Sequence, residues 1–231
     1  MGNIYNIKID RDTLHERLNG GLPKGSIVFI EGADGSGKSI ISQRLLFGFL
    51  TNGYKATYIS TELTTKGFIE QMRALNYEVL PYIVSRQLLF VPVYPLIGRP
   101  RPKSEFLKML MSAKELFKND IIIIDTLSGI MEEEIDDKTI VDVTYFFKKI
   151  ASENKTIVLT ADPEQMNKGM LRYLRNTSDV YLQLIVNLSE AELAKMIVVK
   201  RFSQASEYVG SVTGFRVEPQ VGLIVDITTV A

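Results

Sequence analysis

The sequence predicts an α/β protein: a mostly parallel central sheet flanked by helices, with an antiparallel extension of strands at the C-terminal end. Three observations carry this. Strand-like apolar runs alternate with helix-like periodic segments through the first two-thirds of the chain, the pattern of a parallel sheet with crossover helices. The run Ile121-Ile122-Ile123-Ile124-Asp125 is apolar at every position until its closing acid, as a strand buried on both faces must be. Past residue 180 the helical periodicity stops, and short β-rich segments separated by turns follow, which suits antiparallel pairing.

Residues 1–25 form a lead-in, with a short helix near Asp12–Leu18 and turn chemistry in Asn19-Gly20-Gly21-Leu22-Pro23-Lys24-Gly25. Ser26–Glu31 reads as a short buried strand. The apolar-rich segment from Ile40 reads as a mostly buried helix, closed near Asn52-Gly53 by a left-handed stop. Lys55–Ser60 is a second strand running into Thr61-Glu62. Phe68, Ile69, Met72 and Leu75 then recur at helical spacing across Thr65–Asn76. Gln87–Val93 is a third strand, and Pro92–Pro102 a loop rich in proline and arginine. Across Ser104–Lys118, Phe106, Leu110, Ala113 and Phe117 share one face, the signature of an amphipathic surface helix. A helix over Asp137–Ser152, a strand over Thr156–Ala161 and a mixed helical segment over Gln165–Arg175 complete the alternating part. Val180–Val186, Ala194–Arg201, Gly214–Val217 and Leu223–Ile227 supply the extension, read as core rather than as an oligomer contact. The expectation is one domain over residues 1–231, with residues 180–231 as its extension.

Composition narrows the function. The chain of 231 residues carries 27 basic and 27 acidic side chains, so it lacks the basic excess of a general nucleic-acid binder. Having no cysteine and a single histidine, it has no disulfides, no cysteine-ligated metal and no histidine cluster; His15 reads as an ordinary surface or cap residue. No apolar run approaches the ~20 residues of a membrane span, and the polar N-terminus has no signal-like apolar segment. A soluble cytoplasmic protein is the expectation.

The stretch that specifies chemistry is Gly32-Ala33-Asp34-Gly35-Ser36-Gly37-Lys38-Ser39, which fits G-x-x-x-x-G-K-[ST] at every fixed position. It lies between a predicted strand and a predicted helix, the context phosphate binding needs. Glycines let backbone N–H groups converge on an anion, and the helix N-terminus adds partial positive charge. Lys38 offers charge to the β and γ phosphates and Ser39 a hydroxyl to magnesium. The candidate binding set is therefore Gly32, Ala33, Asp34, Gly35, Ser36, Gly37, Lys38, Ser39 and the first helical residue, Ile40, for a nucleoside triphosphate.

Asp125, at the tip of a buried strand, is the natural acid to hold magnesium with Ser39; its other reading is a cap after a core strand. Glu62 stands at the end of the strand that follows the phosphate-loop helix, where open α/β sheets place ligands. There a carboxylate orients or deprotonates an attacking water, or simply opens the next helix. Ser60 and Thr61 offer hydroxyls as phosphoryl acceptors, or serve as strand-end caps. Lys200 and Arg201 close a late strand and point to opposite faces. Either is a candidate cation for a nucleotide, in trans across a subunit boundary, in competition with Arg172 and Arg175; plain surface charge is the alternative. The acidic run Glu132–Asp137 is a solvated face, a helix start or a patch for a basic partner, and it repels a phosphate backbone.

Together, Gly20–Ser26, Glu31–Ser39, Tyr58–Glu62 and Ile121–Thr126 resemble the RecA/KaiC-like ATPases over about Leu18 to Arg201. The resemblance implies a RecA-like P-loop NTPase fold, ATP and Mg2+ at the phosphate loop, and a homo-oligomeric, hexameric ring. It makes Lys38-Ser39 the Walker A pair, Asp125 the Walker B acid and Glu62 the catalytic glutamate. Tyr58–Lys66 followed by Phe68–Met72 is most similar to the KaiC-like ATP-binding component of the archaellum, the archaeal flagellum. That narrower resemblance implies a regulatory or assembly part in motility, docking on the motor ATPase near the membrane platform, at the cytoplasmic face of the membrane without insertion. Two departures bear on turnover and on the ring. Leu63 follows Glu62 where KaiC-like domains often carry a second glutamate, and the late Lys-x-Arg becomes Lys200-Arg201-Phe202. Slow or absent hydrolysis is the expectation, with an active ATPase or autokinase as the alternative. A DNA-binding recombinase paralogue is the rival outside that group; the basic segment Lys168–Arg175 speaks for it and the acidic run against it.

Overall fold

The computed structural model describes residues 3–93, 103–131, 135–188, 193–205 and 209–226. The strands are β1 (Ile4–Asn6), β2 (Gly21–Pro23), β3 (Ile27–Glu31), β4 (Ala56–Ser60), β5 (Leu88–Pro92), β6 (Ile121–Asp125), β7 (Thr156–Ala161), β8 (Val180–Leu188), β9 (Leu193–Phe202), β10 (Val212–Glu218) and β11 (Gly222–Asp226). The helices are α1 (Leu14–Arg17), α2 (Lys38–Thr51), α3 (Thr65–Ala74), α4 (Leu80–Val84), α5 (Lys103–Ser112), α6 (Asp137–Ser152) and α7 (Lys168–Thr177), with a 3-10 turn at Lys114–Phe117.

Nine strands form one sheet in the order β11-β10-β9-β8-β3-β7-β6-β4-β5. Pairing is parallel from β8 through β5 and antiparallel from β8 through β11. Both the RecA-like, mostly parallel α/β core and the antiparallel extension thus stand as the sequence predicts. Parallel strands at the centre are apolar on both sides because helices cover both. Along β6, Ile121 and Ile123 face the core under α2 and α3, whereas Ile122 and Ile124 face the core under α5, α6 and α7. Since β3 pairs with β7 on one side and β8 on the other, chain direction across the sheet reverses there. The crevice beyond the C-terminal ends of these strands is where such sheets bind ligands.

Several expectations need correction. The lead-in is not all turn: β1 and β2 pair as a separate two-stranded antiparallel sheet. A side chain at Gly21 would bring a Cβ within 2.1 Å of the Tyr5 carbonyl oxygen, so glycine makes that pairing possible. The helix expected over Ser104–Lys118 is broken at Ala113, whose ψ of 68 leaves the helical region; Leu110 and Phe117 are nonetheless both buried, and Phe106 is not among the residues whose side chains are described. α4, with Pro81 in its first turn, was not expected at all. Of the loop at Pro92–Pro102, residues 94–102 lie outside the described residues, as do Glu132, Glu133 and Glu134 of the acidic run. At its far end Asp136 caps α6, accepting from the Thr139 N–H at 2.7 Å. No helix among the described residues is long and apolar enough to cross a membrane.

Candidate functional site

The phosphate loop leaves β3 at Gly32, whose N–H donates to the Ala161 carbonyl at 3.1 Å and so ties the loop to the end of β7. Gly35 and Gly37 hold φ of 71 and 100, left-handed values that non-glycine residues disfavour. Gly37 is the N-cap of α2 and supplies no side-chain acceptor, which leaves the first-turn N–H groups for an anion. Ala33, Asp34 and Gly35 are exposed at the tip; Ser39 and Ile40 are half-buried in the first turn. The Lys38 ammonium folds back over the loop and donates to the Ala33 carbonyl at 2.9 Å. Ser36 is buried, and its Oγ has no hydrogen-bond partner. Such an orphaned donor inside a loop of converging amides suits a bound phosphate, because an unpaired buried hydroxyl is costly. A Cβ at Gly32 would lie 2.4 Å from that Oγ, so the first glycine is the one that leaves the cradle open.

Asp125 meets this loop from β6. Its Oδ1 accepts from Thr160 Oγ1 at 2.6 Å and from Ser39 Oγ at 3.3 Å. Its Oδ2 accepts from Tyr58 OH at 2.5 Å and from Ser42 Oγ at 3.3 Å. The Asp125–Thr126 peptide is cis, and Thr61 Oγ1 accepts from the Thr126 N–H at 2.9 Å while lying 3.1 Å from the Thr126 carbonyl. The carboxylate is 3% exposed, and every partner it has is a hydroxyl. A single acid and a serine hydroxyl facing a phosphate loop suit magnesium, which keeps waters and takes the rest of its ligands from phosphates. Ser39 and Asp125 are the residues that would hold the ion.

Glu62 follows β4, the strand beside β6, with Ser60 in register with Asp125. Its side chain is open to solvent and caps no helix: Thr64 is the N-cap of α3. Partial desolvation pushes the Glu62 carboxyl up, Asp125 pushes the same way, Lys38 opposes, and Asp34 and Asp162 add smaller upward contributions. Glu62 thus belongs electrostatically to the group containing Lys38 and Asp125, and an acid raised in this way is better suited to take a proton from water.

Other candidates lie elsewhere or are already engaged. Lys200 and Arg201 do not join the loop of their own chain. Because β9 runs antiparallel to β8, Arg201 pairs with Tyr181, itself level with Phe29 in the middle of β3 rather than at its loop end. The Arg201 guanidinium donates to the carbonyls of Arg175 and Ser178 at 3.0 and 2.9 Å, and Lys200 is exposed. Arg175 pairs with Glu31, donating to both carboxylate oxygens at 2.7 and 2.5 Å, and Tyr181 OH donates to Glu31 at 2.6 Å; Arg172 is exposed on α7. Ser60 and Thr61 are buried. The Ser60 hydroxyl accepts from the Leu63 N–H at 3.0 Å, and Thr61 brackets the Asp125–Thr126 peptide, so both act as local locks.

The strand that disappoints at Arg201 contributes at its other end. Lys195, near the start of β9, donates to the Gly35 carbonyl at 2.8 Å. Its strand partner Phe215 on β10 packs against the loop, its ring 3.2 Å from where a Gly37 Cβ would sit. Sequence reasoning missed Lys195, Phe215 and Tyr58. Only β-pairing register could have identified them, and one chain does not encode it in local pattern.

Comparison with known proteins gives the family. The family model described as "ATPase: KaiC" matches residues 9–208. The chain is 36% identical to "Archaeal flagellar ATP-binding protein FlaH" of Methanocaldococcus jannaschii, over 99% of this chain and 98% of the relative. It is 27% identical to the protein so described in Sulfolobus acidocaldarius, over 94% and 95% of the two chains. The crystal structure of flagellar accessory protein FlaH from M. jannaschii superposes with a TM-score of 0.90 at 35% identity, covering 97% of this chain and 100% of that one. A KaiC-like protein from Pyrococcus horikoshii superposes with a TM-score of 0.75 at 14% identity, covering 96% and 99%, a likeness of fold.

Proposed function

The chain belongs to the KaiC-type ATPases and, among them, to the archaeal flagellar FlaH proteins; from that premise we propose that it binds ATP with magnesium and uses the nucleotide to assemble and dock rather than to turn over rapidly. The observation that carries this is the meeting of Lys38, Ser39 and Asp125 around a loop whose Ser36 hydroxyl is orphaned. Lys38, now on the Ala33 carbonyl, would reach the terminal phosphates, the α2 N-terminus would take phosphate oxygens, and Ser39 with Asp125 would hold the ion. Bound nucleotide then orders the subunit boundary, and a hexameric ring docks on the archaellum motor ATPase beneath the membrane platform, on the cytoplasmic side.

Slow hydrolysis follows from two features. Glu62 is solvent-exposed and followed by Leu63, so its hold on an attacking water is loose. The late-strand cations Lys200 and Arg201 stand away from the loop of their own chain, so any role in charge stabilisation is in trans. A second reading, a working ATPase, is favoured by the raised Glu62 carboxyl, which suits a general base.

One experiment separates them: light-scattering mass and phosphate release measured on the same sample, with and without magnesium-ATP. Ring-sized mass with negligible release is expected, and Lys38→Ala should lose both nucleotide binding and the ring. Unchanged mass with nucleotide fully bound would refute the assembly role. Release at several turnovers per second that Glu62→Gln slows by a hundredfold or more would establish the second reading.

A further inference from the structure

We infer that Tyr58 is a positioning residue for the metal carboxylate: its hydroxyl, on the strand beside Asp125, fixes the carboxylate that faces Ser39. This rests on the magnesium-nucleotide reading of the phosphate loop.

Strand periodicity puts the residues together. Tyr58 and Ser60 on β4 are in register with Ile123 and Asp125 on β6, and alternate residues share a face. That face is the one α2 covers, which is why Ser42, one turn into α2, also arrives there: its Oγ is 2.9 Å from the Tyr58 oxygen. The phenol is fully buried and its ring packs on Phe68 and Phe90, with centroids at 5.1 and 6.0 Å. Packing alone would be met by phenylalanine, as at its two aromatic neighbours. A buried hydroxyl instead requires a partner, and here the partner is the acid at the centre of the site.

The geometry divides the labour on Asp125. Oδ2 is taken by Tyr58 and Ser42 and points into the core, while Oδ1 is shared by Thr160 and Ser39. Tyr58 therefore sets the rotation of the carboxylate and leaves Oδ1 on the Ser39 side, where magnesium or its water would lie. Outer partners of this kind change metal affinity by roughly 10- to 100-fold.

The test titrates magnesium into protein and a fluorescent ATP analogue, beside the same binding measured in EDTA, for wild type, Tyr58→Phe and Ser42→Ala. Tyr58→Phe should raise the half-saturating magnesium by about tenfold or more and leave affinity in EDTA within twofold. A purely structural role would weaken both alike or neither. A wild-type midpoint in Tyr58→Phe overturns the inference, as does an equal loss with and without magnesium. Should Tyr58→Phe not fold, Ser42→Ala decides: a magnesium-specific rise of about threefold supports the inference, and no rise overturns it. Wild-type binding indifferent to magnesium would instead remove the magnesium reading itself, and the inference with it.

Discussion

Glu62 stands among acids, and its position explains both its chemistry and a penalty in stability. Its carboxyl is raised by desolvation and then by Asp125, so ionising it is less favourable in the folded protein than in the unfolded chain. By linkage, that penalty is absent below the ordinary glutamate value. It grows as pH rises through the raised folded value and is complete above it. Glu62→Gln should therefore melt higher than wild type near neutral pH, with the gain fading on acidification through the carboxylate range. The side chain is solvent-exposed, so the gain is modest. Thermal melts of both proteins across pH 3.5 to 8 check the sign; a variant less stable at neutral pH would contradict it. This environment was only half legible in the sequence. The strand-end position of Glu62 was readable, but the proximity of Asp34 and Asp162 depends on tertiary folding.

At the scale of elements, what the sequence revealed were segments whose periodicity and caps agree. α6 begins and ends at Asp137 and Ser152 as expected, with an Asp136 cap and an apolar stripe. β6 and β7 likewise match, since unbroken apolar runs have few alternatives. What stayed hidden were elements made by partners rather than by propensity: the three-residue strands β1 and β2, α4 with its proline, and the break at Ala113. The buried pair Asp12–Arg44 was equally invisible. Arg44 Nε and Nη2 donate to the two Asp12 oxygens, each at 2.7 Å, and Nη1 donates to the Ile7 carbonyl at 2.8 Å. Both side chains are almost wholly enclosed. Gly48 makes room, since a Cβ there would sit 2.5 Å from the Ile7 oxygen. The pair pins the lead-in to the phosphate-loop helix. Asp12→Ala strands a buried guanidinium and should cost about 3–5 kcal/mol in urea unfolding. The double change Asp12→Ala with Arg44→Met should recover much of that loss, because it removes the orphaned charge. No recovery would mean the destabilisation came from lost packing.

At the scale of the whole molecule, the extension is not an appendage to the nucleotide site but one of its walls. β9 brings Lys195 to the Gly35 carbonyl, and β10 brings Phe215 to Gly37, so the tip of the loop rests on antiparallel strands that follow the last crossover. Phosphate entering the loop would draw Lys38 inward and load the tip, and the load is passed to the register that joins Lys195 to Phe215. Hydrogen exchange should record this: magnesium-ATP is expected to slow amide exchange across residues 195–198 and 212–216 as well as in the loop and α2. α4, at the far edge beside β5, should be unaffected and serves as the internal control. Lys195→Ala should weaken nucleotide binding several-fold and abolish the protection in β9 and β10, while protection in α2 persists wherever nucleotide is saturating. Protection confined to the loop and α2 in the wild type would show that the extension merely supports the sheet. Protection spreading into β9 and β10 would make these strands the route by which bound nucleotide reaches the outer face of the extension.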